Sequence, residues 1–69
     1  MKNKIDFLVA LIAEFAQRYG LTDKEAESYM SRHNALELCD KHYEIMHTLS
    51  FAENVENIAI YCRKNGGML

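Results

Sequence analysis

Apolar residues recur in this chain at steps of three and four: Ile5, Leu8, Ile12, Phe15 and Tyr19 towards one end, Phe51, Val55, Ile58 and Cys62 towards the other. An α-helix turns once in about 3.6 residues, so this spacing gathers the side chains on one face, whereas a half-buried strand needs alternation. No proline interrupts either run. Phe7, Leu11 and Ala16 widen the first stripe beyond what one partner helix covers, which makes the first helix the expected hydrophobic centre of the fold.

Local punctuation divides the chain further. Gly20 supplies a helix stop, and Thr22 with Glu25 three residues later forms a capping box that starts a second helix. That helix should turn Ala26, Tyr29, Met30 and His33 inward and end at Asn34. The stretch Ala35 to His42 has helical propensity and either continues to Met46 or breaks near Tyr43. Ser50 and Glu53 form a second capping box, and Asn65-Gly66-Gly67 closes the last helix, leaving Met68 and Leu69 as a short apolar tail expected to fray. Strand alternation is missing, and the single hairpin-like dipeptide, Asn65-Gly66, lies at the very end. The expectation is an all-α fold: one domain over residues 1–69, a compact bundle of four helices with room for a fifth short helical turn.

A chain of 69 residues hides only about 60% of the surface that its unfolded form exposes, so its stability should depend on a disulfide, a metal or a partner. Two cysteines are too few for a secreted disulfide scaffold. The apolar run from Phe7 to Ala13 is flanked by Asp6 and Glu14, carries no cleavage site and is too short to span a bilayer. A cytoplasmic protein with reduced thiols and no membrane contact is expected. The net charge of -2 and pI near 5.8 disfavour nucleic acid, whose phosphates are bound by clustered Lys and Arg. A helix-turn-helix regulator would need Lys24, Arg32 and Lys41 to converge on one face.

Chemistry is sparse. Cys39, His42, His47 and Cys62 are zinc-type donors, but their spacing fits no finger or ribbon, and the cysteines fall on apolar faces. Pairing a cysteine with a histidine for nucleophilic catalysis would need a substrate cleft that so small a bundle has little room for. No cofactor, metal site or enzymatic activity is expected. The distinctive stretch is Tyr43 to Glu53, where His47-Thr48 sits between apolar residues just before a helix start. Tyr43, His47, Thr48, Ser50 and Glu53 form the candidate polar site. Its simplest reading is a buried histidine that binds backbone groups left free at a helix end, and its removal would then cost about 1 to 3 kcal/mol. Glu37, Asp40 and Glu44 form a candidate acidic face, a solvated surface first and a docking surface for a basic partner second.

The run Tyr43-Glu44-Ile45-Met46-His47-Thr48-Leu49-Ser50, followed by Glu53-Asn54-Val55-Glu56-Asn57-Ile58, resembles a family of small bacterial proteins catalogued only as a domain of unknown function. Phe15-Ala16-Gln17-Arg18-Tyr19-Gly20-Leu21-Thr22 with Glu25-Ala26 is similar to the same family, so the resemblance covers nearly the whole chain. It implies a small stand-alone helical protein without an established activity. Some members are encoded beside a second small protein resembling an ADP-ribosyltransferase-like toxin, which implies an antitoxin-like or accessory role. Apolar residues beyond what the core needs, Phe7, Val9, Leu11 and Ile60, suggest burial against a protein partner or a second copy, with a homodimer the simplest form.

Overall fold

The computed structural model describes residues 3–69, which form five helices and no strand. In chain order they are α1 (Lys4–Tyr19), α2 (Asp23–Arg32), α3 (Ala35–Lys41), α4 (Tyr43–Met46) and α5 (Phe51–Lys64). The expected fifth turn is thus present. The stretch from residue 35 to 48 breaks at His42, whose backbone leaves the helical region at φ -112°, ψ 24°.

Each boundary has a local cause. Asn3 caps α1 by accepting the Asp6 amide at 2.9 Å, and Gly20 ends it in the left-handed region at φ 67°, where a side chain would be strained. Both capping boxes form: Thr22 Oγ1 accepts the Glu25 amide while Glu25 accepts that of Thr22, and Ser50 and Glu53 repeat the exchange at the start of α5. Between α2 and α3 the chain turns at Asn34, also left-handed at φ 66°, a conformation that Asn tolerates better than other side chains.

Helix α1 packs against α2 and α5, and α3 lies against α2 and α5 from the other side. Phe15, Leu11, Met30, Ile58, Cys39 and Cys62 are fully enclosed. The buried face of α1 is rotated from the expected stripe: Phe7, Leu11 and Phe15 are its centre, Leu8, Ile12 and Tyr19 are half-buried, and Ile5 is 70% exposed. Periodicity finds that a face exists, but the angle between the two covering helices decides where its middle lies. Phe7 and Leu11 are therefore core residues rather than surplus, while Val9 and Ile60 remain on the surface.

The C-terminal segment is docked rather than frayed. Gly67 N–H donates to Cys62 O at 2.8 Å, Leu69 N–H to the Tyr29 hydroxyl at 3.1 Å, and the Arg63 guanidinium to Leu69 O at 2.9 Å. Gly67 is required there: a Cβ would run into the Tyr29 hydroxyl and stand 2.8 Å from Cys62 O. Met68 alone points away, 92% exposed. Among the described residues, no helix is long and apolar enough to cross a membrane.

Candidate functional site

The segment from Tyr43 to Glu53 carries the chain through one turn of α4 and into α5. Ser50 and Glu53 serve backbone amides that the start of α5 leaves free, whereas His47 and Thr48 add a second bond to carbonyls that already accept a backbone amide. His47 Nδ1 lies 2.9 Å from the Tyr43 carbonyl oxygen and, with the proton on that nitrogen, donates to it. Thr48 Oγ1 donates to Ile45 O at 2.6 Å, and Ser50 Oγ donates to Glu53 Oε1 at 3.1 Å. The His47 ring stacks on Tyr43, with centroids 4.8 Å apart and planes inclined by 17°. All five candidates are thus brought into one segment, but Tyr43 alone is half-buried while His47, Thr48, Ser50 and Glu53 are exposed.

The expectation of a buried His47 is corrected by this geometry. The polar group enclosed in the core is Asn54, one turn into α5 and 0% exposed. Its Nδ2 donates to Met46 O at 2.8 Å and ties the end of α4 to α5, while its Oδ1 has no hydrogen-bond partner among the described residues. Only the polar flanks of the α5 stripe signal it in the sequence: Asn54 precedes Val55 and lies four residues before Ile58, on the buried side.

Tyr43 is anchored from the far end of the chain. Phe7 meets it edge-on at 5.5 Å and stacks on Phe51 at 6.0 Å. Lys4 sits 5.8 Å above the Tyr43 ring and pairs with Asp40 at 2.9 Å, an exposed contact worth at most about 1 kcal/mol.

The acidic trio does not form one surface. Glu37 and Asp40 lie on α3 and line a cleft of about 630 Å³ with Lys41, His42 and Tyr61, whereas Glu44 lies on α4 beyond the break and outside that cleft. The Asp40 carboxylate is engaged by Lys4. Lys24 and Arg32 line a different cleft, along α2, so the three cations that a helix-turn-helix reading requires are divided between two clefts.

Cys39 and Cys62 are buried and unbridged. Burial pushes the Cys39 thiol up to about 12, helped by the neighbouring Cys62, and burial pushes Cys62 up to about 11 against the pull of Arg63. Both thiols stay protonated at neutral pH. Among the described residues, no three His, Cys, Asp or Glu side chains converge as metal ligands.

Neither a curated protein nor a solved structure matches the chain. A family model does, over residues 6–65, a span that takes in both capping boxes, the Tyr43 to Ser50 segment and the Asn54 anchor. The chain therefore belongs to DUF3791, a family described as protein of unknown function.

Proposed function

We propose that this chain is a helical protein-interaction module that docks through the N-terminal half of α1. The observation that carries the reading is an uncovered apolar stripe: Ile5 and Val9, one turn apart on α1, are 70% and 63% exposed. Ala16, on the same face two turns beyond Val9, is buried at 2%. The 16 residues of α1 measure roughly 24 Å and the 10 of α2 roughly 15 Å, so α2 is too short to run the length of its neighbour. Two branched aliphatic side chains left at the end of a helix whose continuation is core form a natural contact point for another apolar surface.

The resemblance of the Tyr43 to Ser50 segment makes a second small protein, for which this chain acts as an antitoxin-like or accessory partner, the first client to test. A second copy is the alternative occupant. The experiment compares tagged wild type with an Ile5→Ser/Val9→Ser variant, by recovery from native lysate and by absolute mass in solution. Wild type should retain one stoichiometric protein or a second copy of itself, and the variant should lose it at unchanged helicity. A wild-type protein that is monomeric and recovers no partner overturns the proposal, as does a variant that retains the same partner.

A further inference from the structure

We propose that Asn65 is a modification site: the Asn65-Gly66 dipeptide closes to a cyclic imide, loses ammonia and reopens as aspartate or isoaspartate, which unseats the segment that follows from α2. Ring closure needs the main-chain nitrogen after an asparagine to reach the side-chain Cγ. A side chain on the following residue obstructs that approach, and helical geometry forbids it. Of Asn3, Asn34, Asn54, Asn57 and Asn65, the last alone precedes a glycine. Asn54 and Asn57 lie inside α5 before the β-branched Val55 and Ile58, and Asn3 and Asn34 precede Lys4 and Ala35, the first residues of α1 and α3. Asn65 is the residue on which α5 ends, at φ -105°, ψ 27°. It and Gly66 are both exposed, and nothing stands within 4 Å of where a Gly66 Cβ would be.

Two restraints hold the dipeptide out of reactive geometry. Asn65 Nδ2 donates to Tyr61 O at 2.9 Å, which turns the side chain back along α5, and Gly66 N–H donates to Arg63 O at 3.2 Å. Both bonds belong to exposed residues at a helix end, where a fold opens most readily, so fraying of the last turn releases them while the core stays intact. Loss of the Gly66 amide proton to hydroxide or water then lets that nitrogen bond to Asn65 Cγ. The bond from Cγ to the side-chain nitrogen breaks, and that nitrogen takes a proton from solvent and leaves as ammonia. Water next cleaves the ring on one side or the other of the Gly66 nitrogen. Cleavage at Cγ leaves aspartate in an ordinary main chain, whereas cleavage at the main-chain carbonyl leaves isoaspartate, with the chain running on through Cγ. Water is taken up, ammonia is released, and neither product returns to the amide.

The products act on the docked segment described above. Each lacks the Nδ2 donor to Tyr61 O and sets a negative charge at the C-terminal end of α5, where the helix dipole opposes it. Isoaspartate also lengthens the main chain just before Gly67, whose seat has no slack: even a Cβ there would run into the Tyr29 hydroxyl and stand 2.8 Å from Cys62 O. The bond from Gly67 N–H to Cys62 O is then lost with that seat.

The experiment incubates the folded chain at neutral and mildly alkaline pH. Acidic products are located by peptide mass spectrometry, isoaspartate by enzymatic methylation, and the fold is followed by amide resonances. Conversion at position 65 should exceed that at every other asparagine at least roughly tenfold, because Asn54 and Asn57 leave helical geometry only in larger openings. It should also rise with hydroxide concentration. Isoaspartate-bearing protein should show shifted Gly67 and Tyr29 resonances with those of Phe15 and Ile58 in place, and an Asn65→Gln variant, which would have to close a larger ring, should lose the conversion. The proposal is overturned by a position 65 that stays unconverted, by equal conversion at another asparagine, or by an Asn65→Gln variant that turns acidic there as fast as wild type. It is equally overturned by isoaspartate-bearing protein whose Gly67 and Tyr29 resonances match those of the unmodified chain.

Discussion

Replacing Asn54 by Asp changes one atom group in a side chain that the fold encloses completely, and the cost can be worked from its surroundings. The wild-type amide donates to Met46 O at 2.8 Å, and that carbonyl also accepts the Leu49 amide at 3.1 Å. A carboxylate at this place cannot donate. It faces the Met46 oxygen with a second acceptor, and its charge is enclosed in the core, whereas the ion pairs among the described residues, Lys4–Asp40 and Arg18–Glu56, lie on the surface. Loss of a buried hydrogen bond and an unpaired acceptor cost about 1 to 3 kcal/mol, and an enclosed unpaired charge brings the loss to about 3 to 5 kcal/mol. A chain of 69 residues has roughly 3 to 10 kcal/mol in all, so Asn54→Asp should be partly or wholly unfolded at neutral pH. The pH dependence is the sharper signature. Burial raises the introduced carboxyl above its unfolded value of about 3.9, so the protonated form, which can donate to Met46 O, is favoured by folding. Relative to wild type, stability should be best retained below about pH 4 and fall as pH rises through the raised value, the reverse of ordinary acid denaturation. Urea titrations followed by far-ultraviolet circular dichroism at several pH values measure this. A variant as stable as wild type at neutral pH, with a parallel pH profile, would refute the placement of Asn54 and the argument built on it.

His47→Ala should cost less than about 1 kcal/mol in the same urea titration, because the ring is exposed and the Tyr43 carbonyl it serves keeps the His47 amide at 3.0 Å. Gly67→Ala should cost about 1 to 3 kcal/mol in thermal unfolding, since its Cβ collides with the Tyr29 hydroxyl and must push the C-terminal segment off α2. Both buried thiols ionise more readily in the unfolded chain, near pH 9.0, than in the fold, near 11 and 12. Their stabilising contribution should be complete below pH 9.0 and fade as pH climbs towards 12, and a Cys39→Ala/Cys62→Ala variant should show a shallower alkaline loss in urea midpoints.

The parts of this fold that rest on neighbouring residues could be read in the sequence. Thr22 with Glu25, Ser50 with Glu53, and Gly20 each act within a few positions, so their types and spacing already contain the geometry. The all-helical class followed from periodicity for the same reason. The parts that depend on distant chain were not legible. Which residues of α1 face the middle depends on where α2 and α5 lie, so the three- and four-residue spacing points Ile5 inward and leaves Phe7 and Leu11 as surplus, although Ile5 is on the surface and the other two are core. A single turn such as α4 gives periodicity too few residues to tell Met46, which is buried, from His47, which is not. Hydrophobic patterning does not register an amide, so it does not single out Asn54, the polar residue that the core encloses. The docking of Leu69 rests on Tyr29, 40 positions away, and no local signal predicts it.

The Phe7 ring, held between Tyr43 and Phe51, bears on how the chain reaches its native state. Helices α1 and α2 are joined by a short turn and can form a hairpin from contacts close in sequence. Bringing Phe51 to Phe7 closes a loop of 44 positions, an entropic cost that must be met before those rings reward it. The hairpin should therefore assemble early and the arrival of α4 and α5 complete the barrier crossing, so that truncating Phe7 slows folding less than it speeds unfolding.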